Sequence, residues 1–540
     1  MSFKPKNRLS GNKQLNISGY NENFNYNYNY NFDDNDHYHN SVMTKKDKLI
    51  QKIRWKQLSI ISLIILCSVH YFERLKPYYT MKSCMWNKWE TWNESNIKPY
   101  HSIIIGDPQL VDDFSYPDRS SLALFITKQL SDNYLHRNHI FYSKYFKPDS
   151  IIFVGDLFDG GREWNDTQWL DEYHRFNKVF NPIDGIRQFR QVPGNHDVGF
   201  GNGISFEKYS RFKGFFGNAD EVITIGNHSL VLMDTVSLSC TEDERINKVS
   251  KEFLTSFEDP NNPYHKLPKI LISHVPLYRF TELQTCDVHR ESQKPFPVIR
   301  GKQYQTVIEY EISQRIINTI KPSLIFSGDD HDYCHIRHPY GKSFSKEPID
   351  YEFKKDTIPG SHYCDEVTVK SSAMTGGISK PAIQLLSLWN PLEENDSNNK
   401  WEISNVEGKT VDSKTAITHL CYLPNPYQPL IHYHIILIMS ILWIFLCTVK
   451  VDYGIRYHTV FQKYVLKLKK LILNLFRKDI KSMDMSHLNQ KNPNKFNTVF
   501  EYIVLDWDIE RNKDWKSFIL NASLVSTTLY GTLFWYIHSI

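Results

Sequence analysis

The sequence predicts an α/β fold with a two-layered sheet core, helices outside it and membrane-spanning helices on its flanks. Three observations predict it. Five short apolar runs between Ser102 and His331, several of them β-branched, are each followed by an acid, amide or histidine. Helical stretches such as SSLALFITKQLSDNYL alternate with them. Two longer apolar stretches, beginning at Leu58 and Leu430, lie outside this region and have basic residues beside them.

In chain order, residues 1–44 include GYNENFNYNYNYNFDDNDHYHN. That Asn/Tyr bias offers no periodicity a core could use, so a disordered cytosolic tail is expected, with His37 and His39 solvated. The run from Leu58 to Phe72 reads as a transmembrane helix over 57–73, shorter than most, or an uncleaved signal anchor. Trp86, Trp89 and Trp92 follow it and are read as packing against the edge of the next domain, with a place near the membrane interface as the alternative.

That domain is expected over 98–390. Its five runs read HSIIIGDPQ, SIIFVGDLFDGG, FRQVPGNHD, KILISHVP and SLIFSGDDHD. Ile103-Ile104-Ile105 and Ile151-Ile152-Phe153-Val154 are too short for helices and suit strands buried on both faces. VITI, SLVLMDTV and AIQLLSLW read as further strands, and GKSFSKEPIDYEFKKD as an exposed insertion.

Residues 430–449, LIHYHIILIMSILWIFLCTV, contain no acid, lysine or arginine and are long enough to cross a bilayer. Residues 450–515 are basic and amphipathic in places (VLKLKKLILNLF), which suits a cytosolic segment touching anionic lipid. The stretch 518–540 is a weaker span, interrupted by Asn521, Ser526, Thr527, Thr528 and His538. An interfacial or packed helix is the alternative there.

Lys45, Lys46, Lys48, Lys52, Arg54 and Lys56 precede the first span, and Lys463, Lys467, Lys469, Lys470, Arg477 and Lys478 follow the second. Positive charge stays in the cytosol, so the segment between the spans is expected on the lumenal side. Six of the eight cysteines lie there, Cys84, Cys240, Cys286, Cys334, Cys364 and Cys421. Three disulfides are permitted, with the connectivity open. Glycosylation sequons at Asn93, Asn165, Asn227 and Asn395 lie in the same segment. A formal charge of +4 without a compact basic domain implies no nucleic-acid partner.

In open α/β sheets, chemistry collects beyond the carboxyl ends of strands, where each of the five polar clusters falls. One cluster would be a loop; five in series imply a single site. Two divalent ions roughly 4 Å apart can hold a phosphate ester, acidify water and stabilise in-line displacement. Asp156 directly ends its run and is the expected bridging ligand. Asp159, three residues on, can orient a catalytic histidine. The Asn195 amide can bind one ion, placing His196 beside the phosphate as general acid. The chain therefore reads as a two-metal phosphoesterase.

These motifs resemble the calcineurin-like metallophosphoesterase superfamily, whose pattern is D-x-H, GD-x-x-D-x-G, GNH[DE], a later lone His and GH-x-H. The resemblance spans Asp107 to His331 in the family's order. It implies a four-layer α-β-β-α sandwich. It also implies one metal on Asp107, Gln109, Asp156 and His331, and another on Asp156, Asn195, His274 and Asp329. Gln109 and Asp329 stand where the pattern has histidine. Oxygen in place of imidazole makes a harder donor set, which favours Mn²⁺ over Zn²⁺. Gly160 stands where the family often has Arg, so Arg162 is the candidate phosphate contact. His335, His338 and His362 fit no motif and are expected at the surface.

DPQL, GDLFDGGREW, VPGNHDVGFG, NHSLVLMDTVS, SHVPLYR and SGDDHDYC carry a narrower resemblance. They are similar to the membrane-bound GPI-anchor remodelling branch, with its ethanolamine-phosphate phosphodiesterases and fungal cell division control protein 1 type. It implies Mn²⁺-dependent removal of ethanolamine phosphate from a mannose of the GPI glycan, in the ER or Golgi. GPI-anchored proteins or the GPI glycolipid would be the substrate, and membrane lipid a second partner. Spacing alone shows only phosphoester cleavage. A lumenal phosphomonoesterase acting on phosphoproteins or sugar nucleotides is the second reading, and a degenerate metal-binding membrane scaffold the third. Retention of His196 argues against the scaffold, since binding alone needs no proton donor.

Overall fold

The computed structural model describes residues 45–92, 97–282, 284–286, 288–301, 303–340, 362–390, 415–448 and 514–539. The expected tail over 1–44, the insertion after Tyr340, Asn93, Asn395 and all but the last residues of 450–515 lie outside them.

The apolar runs form strands in two mixed sheets. One sheet has the order β11-β10-β1-β2-β3, built from β1 (Tyr100–Ile105), β2 (Ser150–Phe153), β3 (Arg187–Phe189), β10 (Ala382–Leu388) and β11 (Ala416–Tyr422). The other has the order β4-β5-β6-β7-β9-β8. Its strands are β4 (Glu221–Ile225), β5 (His228–Leu232), β6 (Lys269–Ile272), β7 (Leu324–Ser327), β8 (Cys334–Tyr340) and β9 (His362–Thr368). β1 and β2 run parallel with Ile104 opposite Ile152, and β6 and β7 run parallel with Leu271 opposite Ile325.

Side chains alternate between the faces of a strand, and here both faces are buried. Ile104 and Ile152 of the first sheet share one apolar cluster with Leu230, Leu232, Ile270, Ile272 and Phe326 of the second. That cluster is the layer between the sheets. The neighbouring Ile103, Ile105, Ile151 and Phe153 turn outward, where Phe153 meets Phe176 of the helix Asp166–Val179. Val231, Leu271 and Ile325 turn the other way, into a cluster with Leu254 and Ile316 of the helices Glu244–Ser256 and Tyr310–Ile320. The architecture is the expected four-layer α-β-β-α sandwich.

β11 extends the first sheet beyond residue 390, where the sequence pattern stops. The disulfides number two among the described residues, Cys84–Cys421 and Cys286–Cys334; Cys240 and Cys364 are buried thiols. The tryptophans do pack on the domain edge. Trp86 stacks on His101 at 4.0 Å, Trp89 stacks on His419, and Trp92 donates to Ser387.

Three helices are long and apolar enough to cross a membrane: Trp55–Ser83, Tyr427–Thr448 and Trp515–His538. They pack on one another. Asn521, one of the polar residues that weakened the last of them in the sequence, is fully buried and accepts the Arg54 N–H at 2.8 Å. Tyr536 meets His70 at 3.0 Å. Polar groups turned into a helix bundle are compatible with a lipid-facing exterior. Below the sandwich, Glu73 of the first helix pairs with Arg137 at 2.6 Å and accepts from Tyr433 of the second. Membrane helices together with disulfides mark a membrane protein of the secretory pathway.

Candidate metal centre

The ends of β1, β2, β6 and β7 lead into the turns that carry Asp107, Asp156, His274 and Asp329. Eight non-glycine residues among those described have positive φ, and five of them are ligands expected from the family resemblance: Asp107 (38°), Gln109 (32°), Asp156 (48°), Asp329 (64°) and His331 (64°). Left-handed backbone is costly for side-chain-bearing residues and concentrates at functional sites. Here it curls each turn back over the sheet end. The adjoining glycines leave the room: a Cβ on Gly194 would lie 2.0 Å from Asp156 Oδ1. One on Gly155, itself at φ +104°, would lie 2.5 Å from His274 Nδ1.

Asp107, Asp156 and His274 bring their ligand atoms within 4.8 Å of one another, fully buried. A carbonyl can only accept, so the 2.9 Å contact to Val154 O places the hydrogen on His274 Nδ1. Nε2 then faces Asn195 Oδ1 at 3.1 Å, Asp156 Oδ1 at 3.3 Å and Asp329 Oδ1 at 3.8 Å. Asp107 Oδ1 accepts the Asp329 N–H at 3.0 Å, whereas its Oδ2 is buried with no hydrogen-bond partner. The Gln109 side-chain amide lies 2.9 Å from Asp156 Oδ2. His331 donates Nδ1–H to Gly376 O at 3.0 Å, which leaves Nε2 for a ligand, and stands close enough to favour the charged form of Asp107.

The electrostatics show a site lacking positive charge. Burial, with Asp156 and Asp107 nearby, raises Asp329 to about 7, and burial raises Asp107 as well. On Asp156 burial is outweighed by His274 and His196, which hold it well below the usual carboxylate range. On His274 burial is outweighed by Asp156, Asp107 and Asp329, which lift it to about 10. A buried carboxylate oxygen without a partner, three crowded acids and an imidazole held by a backbone carbonyl fit divalent cations.

His196 sits at the mouth, its backbone N–H on Asp156 Oδ1 at 2.9 Å. Its Nδ1 meets the Asp159 carbonyl oxygen at 2.7 Å and the Asp159 carboxylate at 3.1 Å. Burial opposes its charge, yet Asp156 and Asp159 raise it to about 9. Arg162 donates to the Asn195 carbonyl at 2.9 Å and is partly exposed beside His196.

Asp197 is a residue whose role sequence reasoning missed. Its buried carboxylate accepts from Gly194 N at 2.8 Å, Phe158 N at 3.0 Å and Leu157 N at 3.2 Å, tying the Asp156 and Asn195 turns together. Its place at the end of GNHD was the available signal. Asp330 and Asp332, interleaved with Asp329 and His331, turn away to Arg290 and to the buried Lys370. His338 corrects an expectation: it is buried, with Nε2 2.5 Å from Glu366, which also pairs with buried Arg279. His335 is exposed as expected and faces Asp365; the His362 side chain lies outside the described set.

A two-sheet sandwich with a buried Asp-Asp-His metal group at its strand ends defines a metallophosphoesterase. The calcineurin-like phosphoesterase family matches residues 100–333. Cell division control protein 1 of Saccharomyces cerevisiae is 42% identical over 377 residues, 70% of this chain and 71% of that one. Metallophosphoesterase 1 of Mus musculus is 28% identical over 211 residues, 36% of this chain and 52% of its own length. The Drosophila melanogaster homologue of the latter is 25% identical over 288 residues, 50% of this chain and 74% of that one. The chain belongs to the calcineurin-like phosphoesterase family.

Proposed function

We propose that this protein is a membrane-anchored phosphodiesterase that removes ethanolamine phosphate from a mannose of the GPI-anchor glycan. Its catalytic domain is lumenal, in the ER or Golgi membrane. The observation that carries a hydrolytic site is the convergence of Asn195, Asp156 and Asp329 oxygens on His274 Nε2, beside the unpartnered Asp107 Oδ2. Asp107, Gln109, Asp156 and His331 would hold one divalent cation, and Asp156, Asn195, His274 and Asp329 the other. The oxygen-rich set favours Mn²⁺. Such a pair, when bound, polarises the phosphoryl group and acidifies the attacking water.

The chain's own residues do the rest. The Asp159 carbonyl and carboxylate hold His196 by Nδ1, leaving its Nε2 proton for the departing mannose oxygen. Arg162, tethered to the Asn195 carbonyl, offers its remaining guanidinium donors to a phosphate oxygen. Asp197 keeps the two ligand turns in register. The GPI substrate is supported by the narrow motif resemblance and by likeness to cell division control protein 1. The disulfides support the lumenal side.

The test is to give the purified full-length protein a GPI glycan bearing ethanolamine phosphate, with and without Mn²⁺. Release of ethanolamine phosphate only with metal is expected. Release of inorganic phosphate from monoesters, with the glycan untouched, would favour the phosphomonoesterase reading instead.

A further inference from the structure

The helix Ser121–Phe146 carries an apolar patch that neither the core nor the site uses. Leu122 is 70% exposed, Phe125 59% and Ile126 48%, with Phe114 of the preceding loop at 52%. An isolated exposed apolar residue is ordinary; four together call for a partner. Helical spacing puts Leu122, Ile126, Leu130 and Arg137 near one face. The core-facing residues, Ser131, Leu135, Asn138 and Tyr142, lie on the other. The C-terminal part of the first face already meets the membrane helices. Leu130, Tyr134 and Arg137 line one cavity with Leu430, Leu533 and Ile537.

Two pairings give the helix its direction. Tyr145 packs on Tyr78 with ring centroids 5.0 Å apart, and Arg137 pairs with Glu73 at 2.6 Å. The residue nearer the helix C-terminus thus meets the part of the first membrane helix farther from the bilayer. Running back from Tyr145 to Leu122, the helix descends toward the membrane. Leu122 lies a further roughly 22 Å along the axis from Arg137, at about 1.5 Å per residue. Lys128 pairs with Glu172 and Asp113, while Asp113, Asp118 and Arg119 stay exposed beside Phe114 and Leu122, where the headgroup layer can solvate them.

We propose that the N-terminal turns of this helix, with Phe114, insert into the lumenal leaflet as an interfacial anchor separate from the three spans. The occupant is the lipid surface, argued from continuity with the face that packs on the membrane helices. The loop leading into this anchor begins at Asp107 and Gln109, so it holds the metal centre close to the headgroups. The inference rests on the membrane-spanning reading of the helices and not on the identity of the substrate.

The test uses the full-length protein in phosphatidylcholine nanodiscs whose lipids carry alkyne-tagged acyl chains. Benzoylphenylalanine replaces Phe125, or Leu122 in a second variant. It replaces Leu63 as a lipid-facing control in the first span, and Val249 on an outer helix of the second sheet. On illumination, lipid adducts are expected at 125, 122 and 63 and none above background at 249. Labelling at 63 with none at 125 and 122 would overturn the proposal. So would cross-linking of 125 to a second copy of the chain, which would make the patch a protein interface.

Discussion

His274 Nε2 stands 3.3 Å from Asp156 Oδ1, both groups fully buried, with His274 Nδ1 fixed on the Val154 carbonyl. Without cations this pair is an imidazolium and a carboxylate; in the proposed centre both would serve as ligands of one cation. Proton and metal therefore compete for one nitrogen.

The first prediction follows in the metal-free protein. Asp329 at about 7 and His274 at about 10 both lie above their unfolded values. An acid or base with a raised folded pKa binds more protons folded than unfolded, so stability falls as pH rises through that interval. For Asp329 the loss runs from about pH 4 to 7, and for His274 from about 6.5 to 10. With EDTA, the melting temperature of the purified protein should fall from pH 6 to pH 9. Added Mn²⁺ should raise it more at pH 9 than at pH 6, because Asp329 is ionised by then and His274 is nearer to losing its competing proton. A flat profile in EDTA would contradict the proton–metal competition.

Asp156→Asn should remove both metals and turnover together. One carboxylate faces His274 and the His196 N–H through Oδ1 and Gln109 through Oδ2, and an amide lacks the charge that gathers two cations. Metal content by elemental analysis and turnover should be measured on one preparation. Full occupancy with normal turnover would remove Asp156 from its bridging role.

Asp107, Asp156 and His274 were legible as candidate ligands because each sits two positions past a short apolar run, so strand and candidate ligand are read together. Asp107 after Ile103–Ile105 and Asp156 after Ile151–Val154 show this directly. His338 was misread because burial depends on Glu366 and Arg279, partners brought in by strand pairing rather than by sequence neighbours. β11 was not foreseen for the same reason: Thr418 and His419 interrupt the apolar residues of AITHLCY, and its pairing with β10 and the Cys84 bridge fix it as a strand. Asn521 looked like an interruption until the Arg54 backbone was seen to occupy its side-chain oxygen.

The ion pair between Glu73 and Arg137 yields a third prediction. Both side chains are almost completely buried at the junction of membrane helices and sandwich, with Tyr433 as the further partner. Arg137→Met leaves the Glu73 carboxylate with Tyr433 alone and should cost about 3–5 kcal/mol, the usual penalty for orphaning a buried charge. Glu73→Gln combined with Arg137→Met should recover most of that loss, because no charge is left stranded. Additive destabilisation in thermal melts of the four proteins would show that the residues act separately.

The last prediction concerns His196. Its Nδ1 is held twice, by the Asp159 carbonyl at 2.7 Å and the Asp159 carboxylate at 3.1 Å, so its Nε2 is the available proton donor. His196→Ala should leave the metals bound and lower kcat on an alkyl phosphodiester by roughly 10²- to 10⁴-fold, the range for a general acid. A nitrophenyl phosphodiester leaves without a proton and should lose far less. Asp159→Asn removes the carboxylate's charge but keeps the backbone carbonyl, so the ring stays oriented and the same selectivity should appear in milder form. Its other effect is on acidity: with Asp159 neutral, one of the influences raising His196 to about 9 is gone, and the basic limb of the pH–rate profile should move to lower pH. Equal loss on both esters in His196→Ala, or loss of metal, would make His196 a positioning residue for the Asp156 turn, whose carboxylate its backbone N–H already contacts at 2.9 Å.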